Sequence, residues 1–146
     1  MFNIQLSLND LDGSNGFFLG LAEELSTSIA GTIDINGDGI EDLIAGSRNV
    51  NDAAVLFGDT ADRTARVSLS TLDGSDGFVI NGGANALAFP QGLEARGDFN
   101  GDGIQDIVFG GPRIFTPEGG DQPGDAVIIL GALGPVAFEA AEDVSN

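Results

Sequence analysis

The chain contains no cysteine, histidine, lysine, tryptophan or tyrosine. Without thiols or imidazoles it has no means of making disulfides, thiolate or imidazole metal sites, a cysteine nucleophile or a Ser-His-Asp triad. Its five cations are all arginines (Arg48, Arg63, Arg66, Arg96, Arg113), set against 23 acidic side chains for a formal charge of −18. Nucleic acid and anionic membrane surfaces are recognised by Lys and Arg displacing counterions from phosphates, so neither partner is expected. Long apolar runs are missing too: no stretch approaches the roughly 18 residues of a membrane-spanning helix, and no membrane insertion is expected. The start, Met1 to Asp10, lacks the basic and apolar regions of a signal peptide. Ser and Thr have neither a His base nor a Lys alternative. Nothing in the sequence brings any two of Glu23, Glu24, Glu41 and Glu94 together for acid/base work. The expectation is a non-enzymatic protein.

What is present is 146 residues, 42% of them hydrophobic, with 23 glycines. High charge with low hydrophobicity would suggest disorder, but this apolar content suffices for a core. Three blocks recur in the same order. Gln5–Leu19 (QLSLNDLDGSNGFFL) matches Arg66–Ile80 (RVSLSTLDGSDGFVI) at an offset of 61 with eight identities. DINGDGIEDLIAG from Asp34 matches DFNGDGIQDIVFG from Asp98 at an offset of 64, and AAVLFG ending at Gly58 matches AVIILG ending at Gly131 at 73. The growing offset places insertions before the second Asp-rich block and in Pro112 to Asp125, a Gly/Pro-rich stretch that reads as a long hairpin loop. The repeated unit divides the chain into residues 5–80, residues 81–131 and a tail of residues 132–146.

Between these loops lie short apolar segments bounded by Gly, Asp, Asn or Pro: GFFLGL, TSIAGTI, DLIAG, AAVLFG, GFVING, GLEAR, DIVFG and AVIIL. Such segments read as antiparallel strands, four to a repeat. Gly20 to Ser28 reads as a loop. The fold class is all-β.

The pattern D-x-N-G-D-G-x-x-D occurs at Asp34, Asn36, Asp38, Ile40 and Asp42, and again at Asp98, Asn100, Asp102, Ile104 and Asp106. Alternate residues of a tight loop aim oxygens inward, and Ca²⁺ takes six or more of them; Ile40 and Ile104 would contribute backbone carbonyls. Gly39 and Gly103 suit a reversal at positive φ. An EF-hand is excluded, because its twelfth position, normally Glu, is Ala45 in one copy and Phe109 in the other, and the flanks are strand-like. Two structural Ca²⁺ per chain are expected, bringing the formal charge from −18 to −14. The competing reading is an Asx-rich turn that satisfies its own backbone.

These loops in strand context, with the LDGSNGF and LDGSDGF phrases, resemble the FG-GAP repeats of integrin alpha-subunit and bacterial extracellular β-propellers over about residues 5–131. Ser47, Arg48 and Gly111 depart from that pattern. The resemblance implies two four-stranded antiparallel propeller blades. Because two repeats cannot close a ring, it implies completion by oligomerisation, with a homotrimer or homotetramer favoured. It also implies a calcium-stabilised module for extracellular protein interaction or adhesion, at the cell surface or outside it, with an extracellular protein or glycan as a further partner. A structural self-assembling unit of a surface layer, ring or filament is the alternative, and an enzyme accessory domain the third reading. The RGD tripeptide Arg96-Gly97-Asp98 reads as part of the second loop and not as a ligand for integrins. Phe115 and its loop are the first place to seek a partner surface.

Overall fold

The computed structural model describes residues 7–20, 27–47, 52–81, 86–87, 93–109, 113–114 and 126–134. Eleven strands occur among them: β1 (Phe18–Gly20), β2 (Thr27–Ile33), β3 (Asp42–Ser47), β4 (Asp52–Leu56), β5 (Arg66–Ser68), β6 (Gly77–Asn81), β7 (Ala86–Leu87), β8 (Leu93–Gly97), β9 (Asp106–Phe109), β10 (Arg113–Ile114) and β11 (Val127–Ile129). Single 3-10 turns at Leu8–Asp10 and Leu69–Thr71 each precede a DGS turn. The all-β expectation holds for the described residues, and eight strands coincide with the apolar segments read from sequence.

Four sheets result. The largest has the order β2-β3-β4-β6, antiparallel throughout. A second has the order β8-β9-β11, also antiparallel. The pairs β1-β5, parallel, and β7-β10, antiparallel, complete the set. β2 and β8 carry a bulge at the same place in the repeat, between Ile29 and Thr32 and between Leu93 and Arg96.

Strand alternation sends neighbouring side chains to opposite faces, and both faces of β3 and β4 are covered. On one face Ile33, Ile35, Ile44, Ala53, Val55, Phe57 and Phe78 pack with Ile107 and Phe109 of the second repeat into one core, which Ile80 and Ile129 flank. Phe57 meets Phe78 edge to face, ring centroids 6.0 Å apart. On the other face Ala45, Ala54 and Leu56 pack under Leu69, joined by Phe17, Leu19, Leu43, Val67 and Leu72. The β1-β5 pair therefore serves as a lid over the second face, and the Arg66 guanidinium lies 4.5 Å from the Phe18 ring centroid.

Two expectations are corrected. The chain does not form two four-stranded propeller blades, and none of the sheets of four, three, two and two strands found among the described residues is closed. The physical reason lies in the outer strands. β1, from the GFFL segment, runs parallel to β5, and the β8-β9-β11 set has three strands among the described residues. Within Pro112 to Asp125, Arg113–Ile114 pairs with Ala86–Leu87, which sequence reading missed. The readings placed on Phe115, Arg48, Gly111, Pro112, Glu23 and Glu24 lie outside the described residues, as does most of the tail.

Candidate functional site

Each Asp-rich loop joins two antiparallel strands, β2 to β3 in the first copy and β8 to β9 in the second. The same glycines turn the chain: Gly37 and Gly39 sit at φ 69° and 87°, and Gly101 and Gly103 at 78° and 89°. This left-handed backbone is why glycine recurs at those two positions.

Inside the first loop the Asp38 N–H donates to Asp34 Oδ1 and to Asn36 Oδ1, both at 3.0 Å. Asp34 Oδ2 accepts from Gly39 N–H at 3.0 Å, and Asp38 Oδ1 from Ile40 N–H at 2.7 Å. Asn36 Nδ2 donates to Asp38 Oδ2 at 3.0 Å. The second loop repeats the pattern: Asp102 N–H reaches Asp98 Oδ1 at 3.0 Å and Asn100 Oδ1 at 3.1 Å. Gly103 N–H reaches Asp98 Oδ2 at 2.8 Å, and Ile104 N–H reaches Asp102 Oδ1 at 2.8 Å. Asp98 also accepts from Gly101 N–H at 2.6 Å. The Asp of the RGD tripeptide is thus turned into its own loop.

Asp42 and Asp106 make separate contacts. Both are fully buried. Asp42 spans the loop, accepting from Ile35 N–H at 2.9 Å and from Gly58 N–H at 2.8 Å. Asp106 does the same with Phe99 N–H at 2.5 Å and Gly131 N–H at 2.9 Å. Burial pushes the Asp42 carboxyl above its ordinary value of 3.8; the N–H groups of Gly58 and Ile35 pull it back, and repulsion from Asp38 and Asp34 adds to the rise.

The structure therefore brings Asp34, Asn36 and Asp38 together around one N–H, does the same for Asp98, Asn100 and Asp102, and gives Asp42 and Asp106 a bracing role. Sequence reasoning missed Gly58 and Gly131 as partners of the buried carboxylates. The signal was available, since both copies of the AAVLFG/AVIILG block end on glycine. A Cβ at Gly58 would lie 2.5 Å from Glu41 O, and one at Gly131 would lie 2.4 Å from Gln105 O. The first loop also meets the start of the tail: Ala132 and Gly134 N–H donate to Ile35 O and Asn36 O at 3.0 Å.

No family model, curated protein or solved structure matches the chain. The resemblance to FG-GAP and integrin-like propellers is corrected accordingly, since it rested on short loop and strand phrases whose surrounding sheets do not close into a ring. The function it implied, a calcium-stabilised propeller module for adhesion, is corrected with it. Among the described residues no group of three or more acidic side chains is gathered to hold a metal. In both loops the carboxylates accept backbone N–H groups, as in an Asx-rich turn.

Proposed function

We propose that the chain is a non-enzymatic, divalent-cation-binding repeat module, with Ca²⁺ as the ion and one site per loop. The observation that carries this reading is the convergence of two side-chain oxygens on a single N–H in both copies, Asp34 and Asn36 on Asp38, and Asp98 and Asn100 on Asp102. A carboxylate oxygen has lone pairs enough to accept an N–H and still face a cation. The all-oxygen donor set suits a hard ion. Asp34, Asn36, Asp38, Asp42 and the Ile40 carbonyl would hold one ion, and Asp98, Asn100, Asp102, Asp106 and the Ile104 carbonyl the other. Bound calcium would favour the charged Asp42 carboxylate against the burial and the repulsion that raise it, and would tie the loop ends, and with them β2 to β3 and β8 to β9. We propose an extracellular or cell-surface setting, where millimolar calcium would fill even weak sites.

The test is isothermal titration of the EGTA-stripped chain with CaCl₂, and separately with MgCl₂. Two calcium ions per chain are expected, falling to one in Asp38→Ala or Asp102→Ala. Absence of binding heat at millimolar calcium, confirmed by absence of any calcium-dependent change in circular dichroism, would overturn the reading.

A further inference from the structure

The internal repeat supplies a template for what covers each strand, and among the described residues one strand lacks its cover. In the first repeat β4 is sealed: Ala53, Ala54, Val55, Leu56 and Phe57 are all buried. Its outer edge is paired by β6, with Leu56 opposite Gly77, Val55 opposite Phe78, Ala54 opposite Val79 and Ala53 opposite Ile80. The equivalent run in the second repeat is Ala126 to Leu130, where β11 pairs with β9 on one side. Among the described residues no strand lies on its other side. There Val127 is 39% exposed, Ile128 50% and Leu130 48%. An apolar strand with a free ladder edge is a template for pairing with another chain.

We infer that this edge takes the Gly16–Gly20 segment of a second copy of the same chain. The occupant is argued from sequence and structure together. The strand on β4 follows the turn Leu72-Asp73-Gly74-Ser75, and the chain contains that phrase once more, as Leu11-Asp12-Gly13-Ser14. The two turns are already alike. Gly13 N–H donates to Gly16 O and Gly74 N–H to Gly77 O, both at 2.9 Å. Gly13 and Gly16 have φ 102° and 147°, against 96° and 148° for Gly74 and Gly77. The segment after the first turn is thus launched as β6 is. Within its own chain its strand pairing is the three-residue parallel pair of β1 with β5, with Phe17 and Leu19 packed on the second core. Parallel pairing is slightly weaker per residue than antiparallel, and an isolated two-stranded sheet is marginal.

The template also sets the register: Ile129 opposite Gly16, Ile128 opposite Phe17, Val127 opposite Phe18 and Ala126 opposite Leu19, antiparallel. Each chain carries one donor segment and one acceptor edge, so the exchange is either reciprocal between two chains or head to tail. This inference is independent of cation binding.

Because the chain has no cysteine, cross-linking reads the contact directly. Separate Phe18→Cys and Val127→Cys chains are mixed and oxidised, with Asn15→Cys replacing Phe18→Cys as the out-of-register control. A covalent heterodimer forming faster with Phe18→Cys than with the control is expected. Light scattering of the unmodified chain should show a mass above that of one chain that falls on dilution. Ile128→Lys, on a half-exposed side chain, should lower that mass while leaving the circular dichroism unchanged. A single-chain mass at every concentration, or equal cross-linking with the control, would overturn the inference.

Discussion

The two copies of the repeat share a loop, a bulge and a strand pairing, yet differ in what surrounds them. In the first, β3 and β4 are covered on both faces and β4 on its outer edge; in the second, β9 is covered while β11 stays half open. The same position is occupied by Ala45 in one and Phe109 in the other, and both are fully buried. Ala45 lies under Leu69, whereas Phe109 fills the core shared by the two sheets. Identical local chemistry therefore serves two packing environments, and the residues that vary are those facing the neighbour.

The sharpest way to break this comparison is at the turn glycines. A Cβ at Gly77 would lie 2.1 Å from Val55 O at φ 148°, because β6 is seated on β4. At Gly16 a Cβ would meet only the Leu11 side chain, at 2.9 Å. Gly77→Ala should therefore cost more than about 3 kcal/mol and Gly16→Ala about 1–2 kcal/mol, the scale of a strained backbone position, as read by urea denaturation. Next in size is the exchanged pair in the core. Phe109→Ala should cost about 3–5 kcal/mol by leaving a cavity. Ala45→Phe should cost about 1–3 kcal/mol by overpacking the space below Leu69.

Much of this division was legible in the sequence. DLIAG, AAVLFG, DIVFG and AVIIL became β3, β4, β9 and β11 because glycine and aspartate bound each apolar run and leave little choice of length. The turns of the loops were legible too, as Gly39 and Gly103 adopt the positive φ expected of them. What could not be read was the fate of strands that need a distant partner. Nothing local in ARVS distinguishes a strand from a loop, and β5 exists because Phe18 to Gly20 lies beside it. The bracing role of Asp42 was likewise hidden, since it depends on Gly58 arriving from the far end of β4.

The buried carboxylates should behave alike in both copies. Asp42→Asn and Asp106→Asn each turn one acceptor into a donor facing an N–H, so each should cost about 1–3 kcal/mol, comparable within error by thermal unfolding. A loss in only one would show that the loops are not equivalent. The smallest effect concerns acid. Hydrogen bonds from the Ser14 hydroxyl and N–H hold the Asp12 carboxyl below its ordinary 3.8, and Ser75 does the same for Asp73. Their folded-state values are depressed, so the stability they contribute is complete above about pH 4 and is lost as pH falls through the folded values. Melting temperature between pH 5 and pH 2 should decline less steeply in the Asp12→Asn/Asp73→Asn variant than in the parent chain.

Thermal unfolding of the full chain in millimolar CaCl₂ and in EGTA tests most directly the proposed uptake of calcium by both loops. Ligand bound to the native state alone raises the melting temperature, by a stabilisation that grows as RT ln(1 + L/Kd) with the free ligand concentration L. The account predicts a higher melting temperature in calcium, with about half the gain remaining in Asp102→Ala. Superimposable curves in calcium and EGTA would contradict it and leave the loops as Asx turns closed upon their own backbone.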